Sequence, residues 1–498
     1  MSSFHSISLK DRFPKFLSVL CFTEMWESFS YYGMRALLVL FLTAKFGFQD
    51  EKAYAIYALF AAIGYAGPVI GGFLAVRLMG FYHMVSIGAI IMLLGHAMLA
   101  LGTHHIQVFY YGLALIAIGT GLFKGNITNL LGASYQKKDP NRERGFTLFY
   151  VGVNTGAFSA PIACAYLAKT LGWHYGFGLA GFGLLIGIIA FTRYKSTLWN
   201  YGKPAHEERM NQKVFLGLKP YPLVFIASLV ASALIALIFN ASEGGKSTSS
   251  SFLYFGGFVF IAIGYILFSA EAKYRKSLAI LGILLLFQML FFAVEMQLGS
   301  LINLFIERNV IKELFGVQVP AAAFQSINPL FVIIFGILFS FFLKSNNKYS
   351  VFKFCLGLLT MALCFFTLYL GCLSANSEGQ VSQWYLWIAM FLMGIGELWI
   401  APLIQALVSI LAPKQLRGLV MGVLFLSMCF ANLLAGVVAK WMAIASVNGK
   451  VNPLESLFIY QSGFFSIAKF NLGLTGVFAI MAPFIYKGIK EAYAAQVK

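Results

Sequence analysis

Three ionisable side chains lie inside the first long apolar stretch of the chain, which runs from Phe16 to Ala44. They are Glu24, Glu27 and Arg35. A charged side chain near the middle of a membrane helix costs roughly 2.5–3.5 kcal/mol on insertion scales, so such residues are retained where they line a polar cavity or pathway. On a helix, the three share one face, about 140° wide, with the hydroxyl-bearing residues between them. We therefore expect this helix face to point toward the protein interior and not toward lipid, and to bind or move charged species.

The composition is typical of a membrane protein. The 498 residues are 60% hydrophobic and 11% charged, and the mean hydropathy is +0.80, far outside the range of soluble globular proteins. The formal net charge of +18 could suggest nucleic acid, but the basic residues are scattered between apolar runs of about 20 residues, as in membrane loops. We therefore predict an all-α polytopic membrane protein with no nucleic-acid partner.

Apolar runs predict fourteen membrane-spanning helices. They lie at 16–44, 52–76, 84–102, 107–131, 146–168, 175–193, 221–240, 252–270, 279–306, 321–343, 352–374, 384–411, 419–440 and 469–487. An even number of spans places both termini on the same side of the membrane. Most of the 36 lysines and arginines fall on that side, so the positive-inside rule predicts that both termini are cytoplasmic.

The spans divide into two groups of six, with two further helices inserted between the groups. The inserted pair, at 221–240 and 252–270, follows a polar and basic linker at 193–219. We therefore predict three parts: an N-terminal six-helix bundle at 1–193, a cytoplasmic linker with two extra helices at 194–277, and a C-terminal six-helix bundle at 278–498.

Charged residues occupy corresponding helices of the two predicted bundles. Arg35 on the first helix has a counterpart in Glu295, and Lys124 on the fourth helix has one in Glu397. Two repeats that meet around a site near the membrane midplane give this arrangement. Because desolvated opposite charges attract strongly, we hypothesise two alternating gate contacts. Arg35 would pair with Glu295 at the outer gate, and Lys124 with Glu397 at the inner gate.

The run Glu24-Met25-Trp26-Glu27-Ser28-Phe29-Ser30-Tyr31-Tyr32-Gly33 resembles the E-x-x-E-R-F-x-Y-Y-G signature of the proton-dependent oligopeptide transporter family, within the major facilitator superfamily. Further motifs of that family follow in order along nearly the whole chain. They are Gly71-Gly72-Phe73-Leu74-Ala75-Val76-Arg77, Gly121-Leu122-Phe123-Lys124-Gly125-Asn126, Phe149-Tyr150-Val151-Gly152-Val153-Asn154-Thr155-Gly156, Glu295-Met296-Gln297, Ser326-Ile327-Asn328-Pro329 and Gly396-Glu397-Leu398-Trp399-Ile400-Ala401-Pro402.

The resemblance implies a major facilitator fold and a symporter that couples di- and tripeptide uptake to inward proton flow by rocking of the two bundles. Arg35 and Lys124 would then hold the peptide carboxylate. The amino end would be held by Glu397, Asn154 and Asn328, and the side-chain pockets would be lined by Tyr32 and Tyr65. Proton coupling and gating would fall to Glu24, Glu27 and Glu295. The residue chemistry agrees, because a zwitterion needs cations at one end and an anion with amide groups at the other.

Three positions depart from the family pattern. Ser28 stands where the signature has arginine, Val76 where the family usually has aspartate, and Phe291 where it usually has tryptophan. Without the arginine, Glu24 and Glu27 lose their nearest cation, and we expect them to share or permanently hold a proton. Weakened coupling, an altered proton stoichiometry and adaptation to an acidic outside are the alternatives that this change leaves open.

Motifs of enzyme chemistry are missing from the sequence. It contains no H-E-x-x-H, no G-x-x-x-x-G-K-[ST] and no G-x-S-x-G, so we predict no catalytic residues, no metal, and no cofactor besides the proton as coupling ion. A carrier of another small solute, such as an amino acid, a peptide-like metabolite or nitrate, with altered or weakened coupling is the alternative function. The histidines fall mostly at predicted loop edges and receive no role. We expect a functional monomer in a bacterial inner membrane, since no targeting presequence is visible and the inserted spans resemble bacterial members.

Overall fold

The computed structural model of the chain is almost wholly helical. It describes residues 15–497, with gaps at 137–138, 140, 205, 216, 242–253, 255, 258–260, 262–263, 266–267, 269–270, 315, 343–349, 413–415 and 446–450. The helices are α1 (Lys15–Ala44), α2 (Asp50–Leu74), α3 (Gly80–Leu101), α4 (Ile106–Ala133), α5 (Arg142–Leu171), α6 (Trp173–Arg193), α7 (Lys195–Gly202), α8 (Pro220–Ala241), α9 (Ala272–Glu295), α10 (Leu301–Asn309), α11 (Ile327–Phe342), α12 (Ser350–Leu373), α13 (Gln383–Leu411), α14 (Arg417–Lys440) and α15 (Pro453–Val497). Two short strands, β1 (Glu313–Leu314) and β2 (Val317–Gln318), pair antiparallel.

Eleven helical stretches among the described residues are long and apolar enough to cross a membrane. One of them, Asp50–His104, joins two predicted spans, whereas α1, with its buried charges, is not in this set. The predicted span at 252–270 falls largely outside the described residues. The polytopic, all-helical class is therefore confirmed, while the total of fourteen spans stays a prediction.

The helices before the linker pack on one another, as do those after it. In the first group α1 packs on α5 and α6, and α4 packs on α2 and α3; in the second, α9 packs on α13, α14 and α15, and α12 packs on α13 and α15. The two groups meet along α2 with α14 and along α5 with α11. This leaves the space between α1, α5, α9 and α13 available for a cavity.

Glycines allow the closest helix crossing in the first group. A Cβ atom on Gly67 of α2 would lie 2.4 Å from the Cα atom of Gly121 on α4. Only a residue without a side chain permits this approach, which is how tightly packed membrane helices commonly meet. The crossing fixes α4, and with it Lys124, against the rest of the bundle.

Three predicted boundaries differ from the structure. The predicted loop with Arg77 is a π-helical turn, Ala75–Met79, that joins α2 to α3, because its mainly apolar residues allow the helix to continue. The predicted span 279–306 is broken by a 3₁₀ turn at Met296–Gly299. The last helix begins at Pro453, well before 469.

Lys469 therefore lies inside α15 and not in an outer loop. Its Nζ atom is 4.5 Å from the ring centroid of Phe465, one turn earlier. Polar residues interrupt this segment where it is buried, as at Ser456, and where it is exposed, as at Ser462 and Ser466. They lower its hydropathy and hide the helix from a search for apolar runs.

Candidate binding cavity

A cavity with about 600 Å³ of atom-free space, part of it open to solvent, lies between the two groups of helices. Helices α1, α2 and α5 line one side, and α9, α11 and α13 line the other. In a concave site, a few convergent polar groups fix the orientation of a small ligand. Of the seven residues predicted to bind substrate, the cavity wall contains six: Tyr32, Arg35, Tyr65, Asn154, Asn328 and Glu397.

Arg35 enters the cavity from α1 and is held by a tyrosine on α2. Its Nε atom donates a hydrogen bond to the Tyr57 hydroxyl at 2.5 Å, and its guanidinium carbon lies 5.6 Å from the centroid of the Tyr32 ring. A Cβ atom on Gly299 would lie 2.9 Å from Arg35 Nε and closer still to the Tyr57 hydroxyl. The glycine at the break after α9 thus leaves the room in which this pair forms.

Glu397 enters from α13 and is contacted by a tyrosine from the opposite group of helices. The Tyr150 hydroxyl donates to Glu397 Oε1 at 3.3 Å. Asn154, one turn further along α5, donates from Nδ2 to the Tyr150 carbonyl oxygen at 3.0 Å. Asn328 Nδ2 is buried and forms no hydrogen bond with any described residue, so this amide donor is free for a ligand.

Lys124 pairs within its own bundle. Its Nζ atom lies 3.7 Å from Glu27 Oε2, a carboxylate with no exposed surface, and 4.2 Å from the centroid of the Tyr31 ring. The hypothesised contact of Lys124 with Glu397 is therefore not formed in this structure. Because Ser28 supplies no cation, Lys124 is the positively charged partner of Glu27.

The carboxylates around Lys124 are poorly satisfied. Glu24 Oε2, both carboxylate oxygens of Glu27 and Ser28 Oγ are buried without a hydrogen bond to the described residues. Buried acceptors without donors are costly. Apart from the Lys124 ammonium 3.7 Å from Glu27, these buried oxygens lack a hydrogen-bond donor among the described residues.

Glu295 lines the same cavity as Arg35, at the end of α9. Arg35 nevertheless binds Tyr57 and, through Nη2 at 3.6 Å, the Met296 sulfur. The hypothesised Arg35–Glu295 ion pair is thus not formed here, although both side chains face one space. Glu295 Oε2 is buried without a hydrogen-bonding partner among the described residues.

An ion pair that the sequence reasoning missed joins the two groups of helices at the end we call the outer end, following the predicted topology. Arg308 on α10 donates from both terminal nitrogens to Asp50 on α2, each at 2.6 Å. Asp50 is 1% exposed and also accepts from the Ile444 backbone N–H at 3.0 Å. One indication of this ion pair was present in the sequence, namely two opposite charges near helix ends. A hydropathy search assigns residues at such positions to loops.

His96 is a second residue that the sequence reasoning misplaced. It is buried in the middle of α3, and its Nε2 atom lies 2.5 Å from Ser30 Oγ on α1. The expectation that histidines lie at loop edges is therefore wrong for His96. Its position inside the apolar run 84–102 was the signal that could have shown this.

The described residues hold no group of three or more His, Cys, Asp or Glu side chains that could bind a metal ion. The polar groups that converge at the cavity include one guanidinium, two carboxylates and three amides, those of Asn154, Gln325 and Asn328. Such a set binds a small charged organic molecule through hydrogen bonds and ion pairs. The individual roles assigned from the sequence stay predictions.

Comparisons with known proteins agree on one family. The sequence model of the POT family matches residues 82–454. The chain is 31% identical to the dipeptide and tripeptide permease A of Erwinia pyrifoliae, over 94% of this chain and 92% of that protein. It is also 31% identical to the permease of the same name from Escherichia coli, over 95% and 93%.

Solved structures share the fold. A crystal structure of peptide transporter POT in complex with sulfate superposes with a TM-score of 0.79 at 27% identity, over 95% of this chain and 96% of that one. A POT family transporter in complex with 5-aminolevulinic acid gives 0.79 at 25% identity, over 95% and 97%. The predicted major facilitator fold is thereby confirmed. With a matching family model over most of its length, the chain belongs to the POT family.

Proposed function

We propose that this protein imports di- and tripeptides by proton symport with alternating access. The observation that carries the proposal is the cavity between the bundles, where Arg35 lies on one wall and Glu397 on the other. A guanidinium and a carboxylate in one poorly solvated space complement a molecule with both signs of charge. The relatives named as dipeptide and tripeptide permeases support peptides as that molecule.

Each end of a bound peptide has its own partners in this proposal. Arg35 holds the carboxylate, joined by Lys124, while Glu397 holds the amino group. The amides of Asn154 and Asn328 complete the amino-end site. Aromatic walls formed by Tyr32 and Tyr65 accept varied side chains without selecting among them.

Proton coupling centres on the Glu27–Lys124 pair. A proton that neutralises Glu27 removes the partner of Lys124, since the two lie 3.7 Å apart, and frees the ammonium group to bind the peptide carboxylate. Glu24 shares this proton site one turn away. In the same way, a proton that neutralises Glu295 frees the guanidinium of Arg35, which lines the same cavity, to bind the peptide carboxylate.

The closed outer end supports an inward-facing state. The Asp50–Arg308 pair seals α2 against α10, and Asn303 on α10 donates to the Ala36 carbonyl oxygen at 2.9 Å. Opening of the outer end in the other state requires these contacts to part. Rocking of the two bundles about the α2–α14 and α5–α11 contacts provides the motion.

The cellular setting follows the same proposal. The protein works as a monomer in a bacterial inner membrane, with both termini in the cytoplasm, and has neither a catalytic activity nor a cofactor besides the coupling proton.

The second candidate substrate class is an amino-acid-like zwitterion, which the neighbour in complex with 5-aminolevulinic acid favours.

Uptake by purified protein in proteoliposomes tests the proposal. We expect labelled dialanine to accumulate when an inward proton gradient and a negative-inside potential are imposed, and not without them. Glu295→Gln and Lys124→Ala should abolish gradient-driven uptake, whereas Lys169→Gln, an exposed change on α5, should leave it intact. Full uptake by both the Glu295→Gln and the Lys124→Ala variant would overturn the assigned roles.

Competition identifies the substrate class. An excess of unlabelled tripeptide should suppress dialanine uptake, while nitrate should not. Free amino acids or 5-aminolevulinic acid that compete as well as tripeptide would favour the second candidate. Accumulation without any gradient dependence would contradict symport.

A further inference from the structure

The segment between α6 and α8 forms a folded layer at the inner end of the N-terminal bundle. Leu198 of α7 is fully buried in the same apolar cluster as Tyr82 and Leu130. A Cβ atom on Gly80, at the start of α3, would lie 2.4 Å from the Gly202 carbonyl oxygen. The helix α7 is therefore fixed to the ends of α3 and α4 at the start of this segment.

A small hairpin, here called the linker hairpin (residues 213–219), projects from this layer. The Val214 N–H donates to the Leu218 carbonyl oxygen, and the Leu218 N–H donates to the Phe215 carbonyl oxygen, each at 2.9 Å. Gly217 has a φ of 73°, in the left-handed region that glycine adopts without strain. The turn presents apolar side chains to solvent, since Val214 is 51% exposed and Phe215 61%.

The linker hairpin directly precedes a helix that can cross a membrane. Pro220, the first residue of α8, directly follows it, and α8 is one of the stretches able to cross a membrane. Five residues span at most about 18 Å when fully extended, and the chain reversal shortens the distance from Phe215 to Pro220 further. The headgroup regions occupy roughly 5–7 Å on each side of the hydrocarbon core, so the exposed aromatic ring is within reach of them.

The charge around the linker hairpin is mostly positive. Exposed basic residues between the two helices are Arg193, Lys195, Lys203, Arg209, Lys213 and Lys219, against the acidic pair Glu207 and Glu208. Lys203 is paired with Glu207 at 2.8 Å, and Lys219 donates to Asn211 Oδ1 at 3.3 Å. An anionic leaflet attracts such a juxtamembrane basic cluster.

We propose that the linker hairpin binds anionic phospholipid at the cytoplasmic leaflet. Lys213 and Lys219 contact the lipid phosphates, and Val214 and Phe215 insert between the headgroups. An apolar tip flanked by lysines at this height matches the arrangement of interfacial membrane anchors. The inference does not depend on the transported substrate.

Amide hydrogen exchange of the full-length protein in nanodiscs tests this proposal. We expect peptides covering 210–219 to exchange several-fold more slowly in discs that contain phosphatidylglycerol than in discs of phosphatidylcholine alone. Raising the salt concentration should weaken the protection, because screening reduces attraction between exposed charges. Glycerol phosphate added to phosphatidylcholine discs should give no protection, which separates a lipid from a free phosphate.

Variants test the charged part and the apolar part of the lipid contact separately. Lys213→Gln with Lys219→Gln should remove the protection, and Phe215→Ser should reduce it while the charges remain. The matched control, Lys45→Gln with Lys169→Gln, removes two exposed lysines at the predicted outer face and should change nothing. Equal exchange in both disc types, protection that survives the hairpin variants, or protection by glycerol phosphate alone would each overturn the proposal.

Discussion

Two tyrosines hold the charged side chains of the cavity in place. The hydroxyl of Tyr57 accepts a hydrogen bond from Arg35, whereas that of Tyr150 donates one to Glu397. A phenol can do either, so the same residue type positions a cation in one case and an anion in the other. Orientation of the two charges is thus set by neutral neighbours, which leaves the charges themselves available to a ligand.

Tyr150→Phe tests this positioning role. The change removes one hydrogen bond to a charged group, which is worth about 1.5–3 kcal/mol, so we expect the KM for dialanine to rise about tenfold or more with little change in maximal uptake. Concentration-dependent uptake measures both values. Tyr166→Phe, further along α5, is the matched control and should behave like the unmodified protein. Equal KM values for the two variants would show that Tyr150 does not orient Glu397.

Ser28→Arg tests the consequence of the missing cation. An added guanidinium beside Glu24 and Glu27 stabilises their charged forms and competes with Lys124, so protons bind there less readily. We expect half-maximal uptake to require a more acidic outside. Uptake of dialanine measured against external pH gives the profile. Ser28→Gln adds comparable bulk without charge and should leave the midpoint in place; an unchanged midpoint for the arginine variant would contradict the idea.

At the scale of elements, the break between α9 and α10 places two functional features. The 3₁₀ turn Met296–Gly299 follows directly after Glu295, and α10 continues to Arg308 at the outer end. Interrupted membrane helices commonly line binding sites, because irregular backbone is tolerated where it faces a cavity. One discontinuous helix thereby connects the cavity to the outer seal.

The outer seal gives a prediction about conformational balance. Arg308→Ala leaves Asp50 buried without its cation, and breaking a buried pair costs about 3–5 kcal/mol. We expect the closed outer end to open more often, measured as faster labelling of a cysteine introduced at the outer end of α2. The exchanged pair, Asp50→Arg with Arg308→Asp, should recover part of the closure.

A nearby ion pair supplies the control for that experiment. Glu51, the next residue of α2, pairs with Lys440 at 3.2 Å, but its side chain is 60% exposed. Exposed pairs contribute little, about 0–1 kcal/mol. Lys440→Gln should therefore leave the labelling rate nearly unchanged. Similar rates for Lys440→Gln and Arg308→Ala would show that burial of the Asp50 pair does not close the outer end.

At the scale of the whole molecule, α8 lies outside the two groups that enclose the cavity. It packs on α4 and α3, and the Tyr111 hydroxyl on α4 donates to the Leu229 carbonyl oxygen at 3.4 Å. None of its residues lines the cavity. Helices with this placement affect stability or assembly more than binding.

Removal of the inserted pair tests this separation. Replacing 220–271 by a flexible Gly/Ser linker takes out α8 and the second predicted span, so we expect the orientation of the C-terminal bundle to be kept. We expect gradient-driven dialanine uptake to persist, measured per amount of protein that elutes as a single species in gel filtration. Loss of uptake in correctly eluting protein would show that the inserted helices belong to the transport machinery.

Hydropathy and charge spacing were sufficient for the class, for most spans and for the charged residues at the cavity, whereas Asn154 and Asn328 were expected only from the family resemblance. They work because the low dielectric of a membrane restricts where a charge can lie, so Arg35, Glu295 and Glu397 stand out against apolar neighbours. The same reasoning failed for Lys469, where scattered polar residues make a helix resemble a loop, and for His96, whose Nε2 atom forms a hydrogen bond with Ser30 Oγ inside the bundle.

Only the tertiary structure decided which partner each charged side chain contacts. The sequence determined that Lys124 and Glu397 lie on helices facing a common centre, yet Lys124 binds Glu27 and Glu397 binds Tyr150. The physical reason is that pairing depends on helix rotation and on distances of a few ångströms, which are set by contacts such as Gly67 against Gly121. Periodicity along one chain determines the face of a residue, whereas its partner depends on how separate helices pack.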